Sequence, residues 1–202
     1  MLQRPDGLRA IADRYPDAPV LLTLGGTLRE MLAVAGRRPN HLPILDAMGQ
    51  PLALALGVSL GLERTPAIGR VIVIEGDGSL LMGFSSLATI GPLRPANLLA
   101  IIFDNGVYLA TGGQPAATAD VDFVGVAMAC GWSAARDVDG DIDALNAALE
   151  WADGQDGPIL LRVRVGIETI PTDFFLEDPV VLGRTFMDWL AERSSADPAA
   201  SS

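Results

Sequence analysis

The sequence predicts an α/β fold, doubly wound around a mainly parallel sheet of about six strands with helices on both faces. Three observations carry that prediction. Short runs of Val, Ile and Leu without polar alternation recur along the chain, as strands buried on both faces do. Longer segments of helical period separate them, and that order makes the sheet parallel with right-handed crossovers. The chain has 202 residues and is 50% hydrophobic, enough for a sizeable core without disulfide or metal staples.

The elements follow in order. Residues 1–18 read as a polar lead-in. Residues 20–24 form the first strand and 27–37 the first helix, followed by a short strand over 42–45 and an apolar helix over 49–63. A strand over 71–75, apolar up to Glu75, feeds a helix over 80–90, and a second over 98–104, apolar up to Asp104, leads to a helix over 121–130. Residues 133–137 form a short strand, Asp141 N-caps a helix over 142–152, and 159–165 is the last strand. Residues 180–193 close the chain as an amphipathic helix. With no internal repeat and no long linker, 1–193 reads as a single domain, and the small polar residues 194–202 as a disordered tail.

Composition removes several function classes. Fourteen basic residues face 25 acidic ones, a net charge of −11, and no basic cluster offers the footprint nucleic acid requires. Lysine is absent, which excludes a P-loop lysine and a Schiff-base lysine. One cysteine, Cys130, and one histidine, His41, cannot build a disulfide framework, a thiolate cluster or a zinc site. The longest uncharged runs, 47–62 and 78–93, are 16 residues each, short of the ~20 apolar residues that span a bilayer. The N-terminal residues lack a basic segment followed by an apolar block, so a cytoplasmic, soluble protein is expected. Only 19% of residues are charged, which predicts that part of the surface is covered by another chain.

Ligands of such sheets collect at the carboxyl ends of the strands. Past the strand over 71–75 stands Gly76-Asp77-Gly78-Ser79. Its glycines allow a tight turn and close backbone approach, and the N–H groups that open the next helix are a seat for phosphate. Asp77 there has two readings: a plain helix cap, or a carboxylate that reaches phosphate through a divalent cation. The next strong strand ends at Asp104-Asn105-Gly106, which leaves 26 residues (79–104) between Gly78 and Asn105. That length holds one helix and one strand, so both loops reach the same sheet edge. The Asp77 carboxylate, the Asn105 amide oxygen, the Val107 carbonyl, two diphosphate oxygens and water would then complete an octahedral magnesium site.

At this point the sequence resembles the thiamine-diphosphate-dependent enzymes, whose signature runs from Gly-Asp-Gly to a terminal asparagine about 25 residues on. The stretch from Gly76 to Ile90, Gly-Asp-Gly-Ser-Leu-Leu-Met-Gly-Phe-Ser-Ser-Leu-Ala-Thr-Ile, resembles the phosphonopyruvate and sulfopyruvate decarboxylases in particular. So do Asp104-Asn-Gly-Val-Tyr-Leu-Ala-Thr-Gly-Gly-Gln-Pro115, Thr23-Leu-Gly-Gly-Thr-Leu-Arg-Glu30, Ala47-Met-Gly-Gln50 and Arg184-Thr-Phe-Met-Asp-Trp-Leu190. The similarity extends over about 20–190. It implies a diphosphate-binding domain with thiamine diphosphate and Mg2+ as cofactors, the metal held by Asp77, Asn105 and the Val107 carbonyl. It also implies diphosphate contacts from Gly76, Gly78, Ser79 and Thr27. Met48 falls where that family has a bulky residue wedged between the two cofactor rings; packing of a core is its other reading.

Two departures stand out. Gln50 takes the place of a histidine common in the subfamily, and Asp46 that of a glycine whose carbonyl meets the aminopyrimidine. Gln50 and Gln114, the latter in the flexible Thr111–Pro115 stretch, are candidate substrate contacts; simple turn chemistry is the other reading of Gln114. His41 reads as structural or solvent-exposed, and Cys130 as a small buried hydrophobe.

No catalytic residue is identified with certainty, because the glutamate that activates the cofactor belongs in this family to a separate pyrimidine-binding domain. A pyrimidine-domain (alpha) subunit is therefore the expected partner, in a hetero-oligomer such as a dimer of heterodimers. The implied function is decarboxylation of a small 2-oxo acid bearing a sulfonate or phosphonate. Another thiamine-dependent lyase or carboligase is an alternative. A non-catalytic dinucleotide-binding module is a second, although Leu81 stands where Gly-x-Gly-x-x-Gly needs its third glycine.

Overall fold

The computed structural model describes residues 1–65 and 67–195. The chain runs through α1 (Arg4–Arg14), β1 (Val20–Leu22), α2 (Gly26–Ala35), β2 (His41–Pro43), α3 (Pro51–Leu62), β3 (Val71–Gly76), α4 (Asp77–Met82), α5 (Ser85–Leu93) and β4 (Leu98–Asp104). It continues through β5 (Val107–Tyr108), β6 (Gln114–Pro115), α6 (Phe123–Ala129), β7 (Ala134–Val138), α7 (Ile142–Asp153), β8 (Ile159–Arg164) and α8 (Pro179–Ser195). Six strands make one sheet in the order β2-β1-β3-β4-β8-β7, every pairing parallel, while β5 and β6 form a separate two-residue hairpin. The doubly wound parallel sheet expected from the apolar runs is therefore present, and all six predicted strands are in it.

Alternate residues of each strand enter opposite cores. Ile72, Ile74, Leu99 and Ile101 pack under α1, α2 and α7, whereas Val71, Val73, Ala100 and Ile102 pack under α3, α5, α6 and α8. Burial on both faces explains why these strands show no polar alternation.

Three elements differ from expectation. The lead-in is a helix: Leu8, Ile11 and Ala12 recur at helical spacing and are fully buried, and Pro5 sits in the first turn, where a missing N–H costs nothing. Its charged outer face hid that stripe. The helix expected over 80–90 is two helices, because the chain breaks at Gly83. Gly49 (φ 78°) presses its backbone there, and a Cβ on Gly49 would lie 2.6 Å from the Gly83 nitrogen. The final helix extends to Ser195, past the expected boundary at 193, and residues 196–202 of the expected tail lie outside the described residues. Among the described residues no helix is long and apolar enough to cross a membrane.

Candidate functional site

The chain leaves β1 outward to β2 and returns to β3, so the strand order reverses between β1 and β3. Open parallel sheets leave a crevice at that point, and a cavity of about 540 Å³ opens there at the carboxyl ends. It brings together eight of the sequence-predicted residues: Thr27, Met48, Gly76, Asp77, Gly78, Ser79, Asn105 and Val107. The other three stand outside it. Asp46 and Gln50 are exposed ahead of α3, and Gln114 is exposed in β6, where its Nε2 donates to Thr111 Oγ1 at 2.6 Å. Asp46 has φ 52°, the left-handed region that glycine enters most easily, so its side chain is tolerated on a backbone shaped for glycine.

Asp77 is 3% exposed. The helix-cap reading fails, because the N-cap position of α4 is Gly76 and no side chain caps that helix. Instead Asp77 Oδ2 accepts a hydrogen bond from Thr118 Oγ1 at 2.8 Å. Burial lifts the Asp77 carboxyl above its ordinary pKa, Thr118 opposes that rise, and the nearby Asp104 carboxylate adds to it. Asp104 has its own cation: Arg162 donates from Nε at 2.8 Å and lies 2.6 Å away through Nη2. Asp77 has none among the described residues. A buried carboxylate without a counter-charge is costly, and a hard divalent cation is what oxygen donors of this kind would hold.

The donors beside it are rigid. Gly106 N–H donates to Asp104 Oδ1 and Val107 N–H to Asn105 Oδ1, each at 3.1 Å, so two successive turns hold the 104–107 loop. No group of three His, Cys, Asp or Glu residues able to hold a metal occurs among the described residues. A cation at Asp77 therefore needs further oxygens from a ligand or water.

Ser79 has a role that sequence reasoning missed. Its hydroxyl donates to Glu75 Oε1 at 2.7 Å and accepts from Gly49 N–H at 3.0 Å and Thr23 Oγ1 at 3.3 Å. The side chain thus ties β1, β3 and the loop before α3 together, and its backbone N–H is the group left for a ligand. Glu75 beneath it is fully buried, and burial pushes its pKa up to about 7 against the hydrogen bond from Ser79.

Among the other residues lining the cavity, Arg4, Arg29 and Tyr108 were not singled out from sequence, and Glu30, the last residue of the Thr23–Glu30 stretch, lines it too. Tyr108 lies over Gly78, where any Cβ would collide with its ring. Nothing local in the sequence points to Arg4, since its partner Glu30 lies 26 residues on; the Asp104-Asn-Gly-Val-Tyr108 run did contain Tyr108. His41 is buried in β2 and both ring nitrogens lack partners. Burial, with Arg38 and Arg37 adding, lowers its pKa to about 4, so it is a neutral structural group outside the cavity lining.

The thiamine pyrophosphate enzyme family, through its C-terminal TPP-binding domain, matches residues 32–163. The chain is 40% identical over 157 residues to phosphonopyruvate decarboxylase of Streptomyces hygroscopicus, an overlap covering 78% of this chain and 37% of that protein. It is 33% identical over 165 residues to sulfopyruvate decarboxylase subunit beta of Methanothermobacter thermautotrophicus, covering 82% of this chain and 83% of that subunit. The chain thus spans little more than a third of the phosphonopyruvate decarboxylase, at 37%, and most of the beta subunit. In structure it resembles benzoylformate decarboxylase from Polynucleobacter necessarius, with a TM-score of 0.67 at 20% identity over 83% of this chain and 33% of that one. At that identity the likeness establishes the fold.

Proposed function

The chain belongs to the thiamine pyrophosphate enzymes, and on that premise we propose that it is the diphosphate-binding subunit of a two-chain 2-oxo acid decarboxylase. The single observation that carries the reading is the buried Asp77 carboxylate, without a cation of its own among the described residues, in the same cavity as Asn105 and Val107. Mg2+ held by Asp77, Asn105 and the Val107 carbonyl fits that donor set, because it completes its shell from a diphosphate and water. The N–H groups of Gly78 and Ser79, with Thr27 across the cavity, would then hold the diphosphate. Met48 would lie against the cofactor rings.

Bound there, thiamine diphosphate supplies a carbon nucleophile and an electron sink for cleavage of the bond to carbon dioxide. This chain's part is binding and exclusion of water. Asp77 and Asn105 fix the metal, Ser79 and Glu75 fix the loop that carries the diphosphate donors, and Tyr108 covers it. No glutamate of this chain is assigned to activate the cofactor: Glu75 is sealed beneath Ser79, and Glu30 is held by Arg4.

The pyrimidine-binding half would come from an alpha subunit. The near-complete overlap with a protein named as subunit beta supports this division, as do the exposed apolar side chains of Phe174, Leu176 and Val180. A 2-oxo acid carrying a sulfonate or phosphonate is the proposed substrate, following the names of the relatives. The test is melting of the chain mixed with a pyrimidine-domain chain. Thiamine diphosphate with Mg2+ should raise the melting temperature and NAD should not; stabilisation by NAD alone contradicts the proposal.

A further inference from the structure

The cavity contains a buried arginine that neither the metal site nor the diphosphate loop accounts for. Arg4, from the first turn of α1, is 8% exposed and lines the cavity. Glu30 holds it through two parallel bonds, Nε to Oε2 at 2.6 Å and Nη2 to Oε1 at 3.0 Å. That pairing uses one edge of the guanidinium and leaves Nη1 without a hydrogen-bond partner among the described residues. A lone buried charge is expensive and Glu30 offsets it, but a structural pair alone would not need to be placed at the wall of a ligand cavity.

The surroundings point to an anion. The guanidinium lies against Gly26, the first residue of α2, where a Cβ would sit 2.5 Å from Nη2. The ten-residue helix α2 has no side-chain cap, so the N–H groups of its first turn are left without a capping side chain. Arg29, one turn in, also lines the cavity and makes no ion pair among the described residues. A planar fork held in one orientation beside free backbone donors suits a tetrahedral oxyanion.

We propose that Arg4, oriented by Glu30, is a binding residue for a tetrahedral oxyanion at the start of α2, and that α1 is thereby part of the ligand site. The inference rests on the reading of this cavity as a diphosphate seat and adds to it a cationic side chain from α1. A phosphoryl group of the cofactor and the phosphonate or sulfonate of a substrate share this chemistry.

The test uses the full chain and two probes, inorganic pyrophosphate with Mg2+ and methylphosphonate, with binding read by phosphorus NMR. On that reading the diphosphate seat is contained in this chain, so pyrophosphate should bind without the partner. Arg4→Gln should weaken pyrophosphate at least tenfold if the oxyanion is the cofactor's. The same loss confined to methylphosphonate assigns Arg4 to the substrate end. Because Arg4→Gln leaves Glu30 buried without its partner, the double variant Arg4→Gln/Glu30→Gln is measured beside it, with folding checked by circular dichroism. Arg4→Lys keeps the charge but not the fork, and should recover only part of the affinity. A folded double variant that binds both probes as the wild type does overturns the proposal. Wild-type protein that binds neither probe overturns the diphosphate seat itself. Loss of binding in Asp77→Asn with full binding in both Arg4 variants leaves the seat standing and removes Arg4 from it.

Discussion

Thr118 Oγ1 donates to Asp77 Oδ2 at 2.8 Å across 41 residues of chain, and both side chains are buried. The bond fixes the carboxylate that the proposed metal site needs and, among the described residues, leaves it without a cationic partner. Asp77→Ala should abolish cofactor binding in the assembled enzyme while the fold survives, because it removes the one anionic ligand and a buried charge together. Calorimetry with thiamine diphosphate and Mg2+, set beside the melting temperature, checks both halves. Unchanged affinity would remove Asp77 from the metal site.

Gly78 and Tyr108 form a second pair. A Cβ on Gly78 would collide with the Tyr108 ring. Gly78→Ala should therefore cost about 2 kcal/mol by overpacking and weaken cofactor binding. Adding Tyr108→Leu should restore most of the stability but not the covered site. A double-mutant cycle in denaturant measures the coupling, and strictly additive effects would show that the two residues do not meet.

Met48 lines the cavity and is only partly buried. Met48→Leu keeps the volume and should cost under ~1.5 kcal/mol. Met48→Ala should lower turnover far more than its change in melting accounts for. Equal losses of stability and activity would favour plain packing.

His41 predicts a pH dependence of stability. Its folded pKa of about 4 lies below the ordinary histidine value of 6.5, so between those values the unfolded chain binds more protons than the folded one. Stability should fall as pH drops from 6.5 towards 4, with His41 contributing roughly 3 kcal/mol of that loss. Comparison with His41→Phe isolates the effect, since Glu75, raised to about 7, acts in the opposite direction in both proteins. Identical slopes for the two proteins would show that His41 is charged or solvated in the fold.

Much of the fold was legible because it is local and periodic. The central strands β3 and β4 are almost continuous apolar runs, and Asp141 does cap α7, accepting from the N–H groups of Asp143 and Ala144. That Asp77 and Asn105 meet in one cavity was legible through a motif whose spacing brings both loops to the same sheet edge. What stayed hidden depends on contacts distant in sequence. The break at Gly83 comes from Gly49, and Asp77 is held by Thr118 rather than by its neighbours. The stripe of α1 is diluted by charged residues, and only Glu30 explains why Arg4 is buried. No window of sequence contains both members of these pairs.

The central claim is that this chain seats the metal and diphosphate but lacks a carboxylate for the pyrimidine and one wall of the ring pocket. A half-open site loses the dry, preorganised surroundings on which decarboxylation depends. The most direct measurement is carbon dioxide release from a 3-sulfonated or 3-phosphonated pyruvate, with thiamine diphosphate and Mg2+ present, for this chain alone and after mixing with a pyrimidine-domain chain. The account predicts no release from the chain alone and sustained release from the mixture. Full activity from this chain by itself would contradict it, and would mean that one of its own glutamates, Glu30 or Glu75, activates the cofactor.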